Sequence, residues 1–566
     1  MNPSTELARD IVDGLVASGV RHAVLCPGSR SAPLAYALLA AERAGRITLH
    51  VRVDERAAAF LALGLAKVSR IPAALVTTSG TAVANLHPAV LEAHHGLVPL
   101  VVLSADRPAE LRGIGANQTT TQPGLFGGAV RFEAELDADD GRAWRREVVA
   151  TAVAAASRPW GHEAAGAPGP VHLDVAFREP LVPDLADHDS ATSRQNPVAG
   201  GPSRHPSTGA DHRAGTVKLA ERTLVIIGDL PEPGQARQVA RWAERHGWPV
   251  VAEPFGEHPL GATVMPHGPL LLGTSWFEHH QPERIVVAGR VTLSRSVRAA
   301  LTADPTRVTY VAAGPRFLGP SFDVADTLPI DVALEAADPP AGPSDWLRAW
   351  WHAAAGTAAA LDAGLTWGTG PALARVLAEA LPDGATLVLG SSNSARDVEL
   401  AVDWAAEDRT VTVVANRGLA GIDGVVSTAV GIGLDSGRPV HALVGDLTFL
   451  HDANALLIGS DERRPDLTIV VANDDGGGIF STLEPGEPAR SADFERVFGT
   501  ATGAGIADLC RAYRIGYALA DSPDELLALA ARRPHGMAVI EVRIERSGHR
   551  ELRSRLREIA EQATRA

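Results

Sequence analysis

The stretch that most limits what this chain can fold into runs from His441 to Phe480, HALVGDLTFLHDANALLIGSDERRPDLTIVVANDDGGGIF. A short apolar run, His441 to Val444, ends in Gly445 and Asp446; a second, Leu467 to Ala472, ends in Asn473, Asp474, Asp475 and three glycines. Both runs are continuously apolar and rich in Val and Ile, and a helical segment expected over Asp452 to Ile458 separates them, so both read as buried parallel strands. The two polar loops then lie together at one sheet edge. Carboxylate and amide oxygens on adjacent strand ends suit a hard dication such as Mg²⁺, and the glycines beside them let backbone and a diphosphate come close.

The whole chain narrows the class of protein. Its 566 residues are enough for about three or four domains. With 45% apolar and 21% charged residues it reads as soluble and globular. A net charge of −15 argues against a general nucleic-acid binder, which needs clustered Lys and Arg for phosphates. No 18-residue apolar run and no charged-then-apolar leader is present, so a cytoplasmic protein without a membrane partner is expected. Cys26 and Cys510, the only cysteines, make no zinc or disulfide framework. The only lysines, Lys67 in a helical run and Lys218 near a linker, leave pyridoxal-phosphate chemistry without its lysine.

Strand and helix patterns alternate along the chain, which predicts doubly wound parallel sheets. In residues 1–183, strands are expected at His22–Leu25, Ile47–Val53, Ala73–Thr77, Leu100–Leu103 and Val171–Val175, with helices at Thr5–Ser18, Glu55–Val68, Thr81–His95 and Arg142–Ser157. Residues 184–215, rich in Pro, Ser, Gly, His and Asp and without periodicity, read as a linker. A central α/β domain follows over 216–345, and a third, with a leading helical connection, over 346–566. The central Gly228-Asp229-Leu230 repeats the Gly-Asp of the metal-like loop, but no Asn-Asn loop follows it, so a purely structural role is the preferred reading there.

Three other junctions could carry chemistry. Asp54-Glu55-Arg56 sits at a strand-to-helix junction before a small, apolar helix face; charge complementarity at the helix N-terminus accounts for it equally well. Thr77-Thr78-Ser79-Gly80-Thr81, continuing to Asn85, is a strand, a hydroxyl-rich turn and a helix start, which an N-cap also explains. Asn416-Arg417-Gly418-Leu419-Ala420-Gly421-Ile422-Asp423-Gly424 follows a strand and opens a helix, as a tight turn does, one strand before Asp446.

The two-loop pattern resembles the metal motif of thiamine diphosphate enzymes, Gly-Asp-x followed some 25 to 30 residues on by Asn-Asn. In that resemblance Asp446 is the first metal ligand. Asp474, 28 positions later, or Asn473, 27 positions later, is the second, and the Gly476 carbonyl is the third. Glu55 is the carboxyl that protonates the 1′ nitrogen of the aminopyrimidine, kept protonated by an apolar surround. Thr78, Ser79, Gly80, Asn85, Ser391, Gly418, Gly421, Ile422, Gly445, Leu447, Thr448 and Ile479 surround the cofactor.

Further segments sharpen the likeness: Cys26-Pro27-Gly28-Ser29-Arg30-Ser31, Ser104-Ala105-Asp106-Arg107-Pro108, Gly115-Ala116-Asn117-Gln118, and Gly477-Gly478-Ile479-Phe480. With the Glu55 and Arg417 segments they resemble the 2-succinyl-5-enolpyruvyl-6-hydroxy-3-cyclohexene-1-carboxylate synthase family of menaquinone biosynthesis. That implies three doubly wound domains and a transferase that uses thiamine diphosphate with Mg²⁺, or Mn²⁺ in its place. It implies decarboxylation of 2-oxoglutarate and addition of the succinyl carbanion equivalent to isochorismate. It also implies a homodimer or homotetramer with active sites between subunits. Both substrates are dicarboxylates, so an acidic protein must concentrate arginine locally. Ser29, Arg30, Arg107, Gln118, Arg295, Ser392, Arg396 and Arg417 are the implied substrate residues, with Gln118 also catalytic, and Ile479, Phe480 and Leu483 form an apolar wall. Ser294 stands before Arg295 where some members have lysine. An acetohydroxyacid synthase-like carboligase or a simple 2-oxo acid decarboxylase shares Glu55 and the metal loops but leaves the arginines unexplained.

Overall fold

The computed structural model describes residues 2–158, 166–184, 220–314, 319–335, 344–406 and 409–565. The linker expected over 184–215 lies, Asp184 apart, outside the described residues. Compactness divides the chain into two units: Met1–Lys218 with Ile458–Glu462, and Leu219–Leu457 with Arg463–Ala566.

The first unit is built on one six-stranded parallel sheet of β1 (His22–Leu25), β2 (Thr48–Val51), β3 (Ala73–Thr77), β4 (Leu100–Asp106), β5 (Glu133–Asp137) and β6 (Pro170–Ala176). Their order is β2-β1-β3-β4-β6-β5, and every pairing is parallel. β3, β4 and β6 are buried along their whole length, which is why they read as unbroken apolar runs rather than alternating ones. Leu7, Ile11 and Leu15 of the helix Pro3–Ala17 and Val149 and Val153 of the helix Arg142–Ser157 close one face over Leu25, Val76, Leu103 and Leu173. The chain leaves β1 to one side for β2 and to the other for β3, so the topological switch point lies between the carboxyl ends of β1 and β3.

The second unit holds two sheets. β7 (Thr223–Ile227), β8 (Val250–Ala252), β10 (Arg284–Ala288), β11 (Val308–Ala312) and β12 (Asp326–Pro329) form a parallel sheet ordered β12-β11-β10-β7-β8. β13 (Ala385–Leu389), β14 (Val411–Ala415), β15 (Val440–Gly445), β16 (Leu467–Asn473), β17 (Gly516–Leu519) and β18 (Met537–Arg543) form the other, ordered β17-β18-β16-β15-β13-β14. β9 (Gly256–His258), a three-residue strand from the central segment, extends that sheet by pairing antiparallel with β14. The switch point of this larger sheet lies between β13 and β15, where Ser391 and Asp446 begin their loops.

Several local expectations needed correcting. The helix expected over Thr81–His95 is two helices, Thr81–Ala84 and His87–His95, because Pro88 lacks an N–H and its ring blocks the carbonyl four residues back. The helix placed at Asp452–Ile458 instead starts at Asp446 and runs to His451, followed by a 3₁₀ turn at Ala453–Leu456. Asp452 is buried and accepts from the Ser427 N–H at 2.7 Å and hydroxyl at 2.9 Å, so its carboxylate serves the helix Val425–Ser436 rather than heading one of its own. The helix Ala32–Arg43 and the strands β5, β9, β12 and β17 were not anticipated.

Candidate active site

Both loops of the His441–Phe480 stretch arrive at the same sheet edge. β15 and β16 are hydrogen-bonded in parallel register with Gly445 opposite Ala472, so Asp446 and the Asn473–Asp474 pair emerge side by side. Asp446 begins its helix, is buried, and accepts from the N–H groups of Leu447 and Gly476. Burial first, then the neighbouring Asp474 carboxylate, pushes its pKa up to about 7, making it a weaker acid. Asp474 is held from the other side by His549, whose Nε2 lies 2.9 Å from Oδ2. Asn473 turns elsewhere: its Nδ2 donates to Glu541 Oε1 at 2.8 Å, and its Oδ1 accepts from the Asp475 N–H at 3.0 Å. Two carboxylates, one buried and one partly so, thus lie side by side where like charges repel, and a divalent cation would relieve that repulsion.

The glycine run makes this arrangement possible. Gly476 has φ 147°, and a Cβ there would strike the Gly499 carbonyl. At Gly478 a Cβ would overlap Asp474 Oδ2 and press on His549 Nε2. The Gly476 carbonyl accepts from the Gly478 N–H at 3.1 Å.

Around this pair the second unit gathers more of the expected residues. Ser391 Oγ donates to the Asn416 carbonyl at 3.2 Å. Arg396 Nη1 donates to the Ser392 carbonyl at 2.8 Å, and Arg417 Nη1 reaches the Ser391 carbonyl at 3.5 Å, so both arginines converge on the loop after β13. Burial, followed by the charge of Arg417, lowers the basicity of Arg396. Thr448 is buried beside Asp446, while Ile422, at 38% exposure, and Phe480, at 37%, present apolar surface to solvent. Phe480 packs against Phe498 at 5.6 Å between centroids. Arg295 is not drawn into this cluster; it is 72% exposed and pairs with Glu484 at 3.2 Å.

In the first unit, residues cluster at the switch point between β1 and β3. Glu55 is the first residue of the helix Glu55–Lys67, capped by Asp54, whose Oδ1 accepts from the Ala57 N–H at 3.0 Å. Glu55 is half-buried, and Ala57 to Ala66 behind it are all buried. Burial and then the charge of Glu55 raise the Cys26 thiol at the end of β1, which puts that carboxylate near the strand end. Ser79 Oγ donates to the Gln118 carbonyl at 3.0 Å, and Gln118 Nε2 donates back to the Ser79 carbonyl at 2.9 Å. Arg107 Nη1 donates to both Ser79 Oγ and the Gln118 carbonyl, while Arg30 Nη1 donates to the Phe177 carbonyl at 2.8 Å. Burial, then Arg107, lowers Arg30. Ser29 and Asn85 are exposed.

Residues 5–125 match the thiamine pyrophosphate enzyme N-terminal TPP binding domain. A 2-succinyl-5-enolpyruvyl-6-hydroxy-3-cyclohexene-1-carboxylate synthase from Saccharopolyspora erythraea is 45% identical over 572 residues, covering 98% of both chains. The chain belongs to that synthase family. A synthase of the same name from Rhodococcus jostii is 46% identical over 577 residues, covering 98% of this chain and 99% of its own. The crystal structure of benzoylformate decarboxylase from Polynucleobacter necessarius superposes with a TM-score of 0.64 at 19% identity, covering 96% of this chain and 99% of that one, which establishes the shared fold. Membership in a thiamine diphosphate-dependent synthase family agrees with the α/β sheets and with residue clusters at their switch points.

Sequence reasoning missed several members of these clusters. Gln122, fully buried, accepts from the Gly80 N–H at 2.9 Å and donates to Asp174 Oδ1 at 2.8 Å, tying the Ser79–Gly80 turn to β6. His549 lies 75 residues after Asp474, and no local pattern links them. Gly228-Asp229-Leu230 serves structure: Asp229 forms an isolated antiparallel bridge with Arg290. At the central sheet's own switch point, Asp229 and Arg290 exchange backbone hydrogen bonds at 2.9 Å in each direction, so the crevice is filled by protein.

Proposed function

We infer that this chain decarboxylates 2-oxoglutarate and adds the succinyl carbanion equivalent 1,4 to isochorismate. The product is 2-succinyl-5-enolpyruvyl-6-hydroxy-3-cyclohexene-1-carboxylate, made in the cytoplasm on the route to menaquinone. The observation carrying this reading is the Asp446–Asp474 carboxylate pair, the first buried and the second partly so, at the sheet edge of a chain in this synthase family. That pair, with the Gly476 carbonyl, suits Mg²⁺, and Gly445, where a Cβ would meet nothing within 4 Å, leaves open space beside it for a diphosphate. When bound, thiamine diphosphate supplies the sink for the electron pair released with CO₂.

The chain's own residues do the rest. Asp446 and Asp474 would hold the cation, with His549, 2.9 Å from Asp474 Oδ2, fixing that carboxylate's orientation. Gly418, Gly421, Ile422, Gly445, Leu447 and Ser391 line the cofactor's place. Glu55, at the first sheet's switch point, would meet the aminopyrimidine 1′ nitrogen and hold or give up a proton there. Arg30, Arg107, Arg396 and Arg417, with Gln118 and Ser392, hold the carboxylates so that the nucleophilic carbon meets the acceptor ring before a proton does. Ile479, Phe480 and Leu483 exclude water. Glu55 and Asp446 belong to different compact units, and the reading pairs Glu55 of one subunit with Asp446 of another in a homodimer or larger assembly.

The test is incubation with thiamine diphosphate, Mg²⁺ and 2-oxoglutarate, with and without isochorismate, followed by product mass. A conjugate of isochorismate and the succinyl unit, formed with loss of CO₂, is expected. Efficient use of pyruvate with no effect of isochorismate would replace this reading with an acetohydroxyacid synthase-like one.

A further inference from the structure

The central sheet of the second unit carries no cofactor motif, yet its switch-point loop reaches the arginine loop after β14. Arg290 Nη1 donates to the Gly418 carbonyl at 2.9 Å, and its Nη2 donates to the Arg417 carbonyl, while Asp229 Oδ2 steadies the same guanidinium at 3.4 Å. Two residues on, Thr292 Oγ1 accepts from Arg417 Nη2 at 2.5 Å. The Thr292 hydroxyl in turn donates to Glu253 Oε2 at 3.3 Å, and Glu253 Oε1 accepts from the N–H groups of Thr292 at 2.5 Å and Leu293 at 2.7 Å. Phe255 lies beneath the Arg417 guanidinium, 5.6 Å from its carbon to the ring centroid.

A buried arginine that must meet a carboxylate needs its plane set before the substrate arrives, because five donors in a rigid fork bind well in one orientation only. Arg417 is held on both sides: its backbone by Arg290, and one guanidinium nitrogen by a hydroxyl that is itself anchored to a buried carboxyl group. The threonine hydroxyl is the one group in this chain of contacts that must accept and donate at once.

We propose that Thr292, anchored by Glu253, is a positioning residue of the central domain that orients Arg417 for binding a substrate carboxylate. This rests on the assignment of Arg417 to substrate binding above. It gives the central domain a part in the reaction that requires no cofactor contact of its own. Thr292 is only half-buried, so a change there leaves the core intact.

The experiment compares Thr292→Val, Thr292→Ala and Thr292→Ser with the wild type in steady-state kinetics for each dicarboxylate, with thermal midpoint and thiamine diphosphate affinity measured alongside. Losing one charge-assisted hydrogen bond predicts a rise in KM of about tenfold for at least one of the two acids in Thr292→Val and Thr292→Ala. In those variants kcat should stay within about threefold, and cofactor affinity should not change. Thr292→Ser, which keeps the hydroxyl, should restore KM to within about twofold. Unchanged KM values in both hydroxyl-free variants overturn the proposal, as does a serine variant no better than the valine one. If the wild type forms no conjugate at all, the functional reading fails instead, and the two failures are told apart by that control.

Discussion

Asp474 and Asn473 are adjacent in the chain and point to different partners, which makes them a direct test of the metal site. Asp474→Ala should lower Mg²⁺ affinity at least about tenfold, since it removes a charged oxygen ligand. Asn473→Ala, which releases Glu541 and the Asp475 N–H but removes no ligand, should leave it within about twofold. The readout is the rise in thermal midpoint on adding Mg²⁺ with thiamine diphosphate; removing the metal with a chelator should abolish that rise in the wild type. Equal loss in the two variants would sink the assignment. At Glu55, replacement by Gln should cut kcat by about 10²- to 10⁴-fold while cofactor binding, followed by fluorescence quenching, persists. Near-normal turnover would remove Glu55 from the mechanism. Glu253 makes a pH prediction. Burial is the main cause that raises it from the usual 4.5 to about 7. The unfolded chain therefore ionises this group first as pH rises, and the folded state loses stability relative to the unfolded from about pH 4.5 up to about 7, then levels off. Glu253→Gln should remove that part of the profile, a difference of about 3 kcal/mol at most, read as wild type minus variant in denaturant melts at pH 4.5 and 7.5. A difference that does not change with pH would contradict the raised value.

At the scale of the element, the loop after β16 is built so that side chains other than hydrogen are excluded where the carboxylates meet. Gly478→Ala places its methyl on Asp474 Oδ2, a side-chain tip that yields by giving up its contact with His549 and its place beside Asp446. The expected result is a loss of Mg²⁺ response with a small stability cost, within about 1 kcal/mol, because the obstacle is a side-chain tip. Gly476→Ala meets the Gly499 backbone carbonyl at a positive φ, so it should cost about 1–3 kcal/mol in a denaturant melt. The reverse ranking of stability losses would show that the loop adapts in another way. The short helix after β15 belongs to the same device: by starting at Asp446 it directs the Leu447 N–H onto that carboxylate, and the loop after β16 adds the Gly476 N–H.

At the scale of the molecule, three sheets, parallel but for the edge strand β9, each have a switch point, and two of them carry the residues expected to react while the third is filled by the Asp229–Arg290 bridge. The reading that joins Glu55 of one subunit to Asp446 of another predicts at least a homodimer, with activity falling as dilution dissociates it. Full activity in a sample shown by light scattering to be monomeric would rule that out. Much of this was legible in the chain alone. β1 and β3 fall where the apolar runs place them, and Glu55 opens its helix as expected, because a strand buried on both faces must be continuously apolar and a helix start needs a cap. Likewise Asp446, with Gly445 before it, and the three glycines after Asp475 marked a loop that only close backbone approach explains. The three-residue strand β9 carried no pattern, because Gly-Glu-His is ordered only by the β14 edge it meets. The choice between Asn473 and Asp474 also lay beyond local reading, since Glu541 and His549, which pull them apart, come from residues far along the chain. Backbone periodicity and turn chemistry are local and so can be read from neighbours in sequence; the direction of a polar side chain is settled by whichever distant partner satisfies it, and only the folded arrangement brings that partner near.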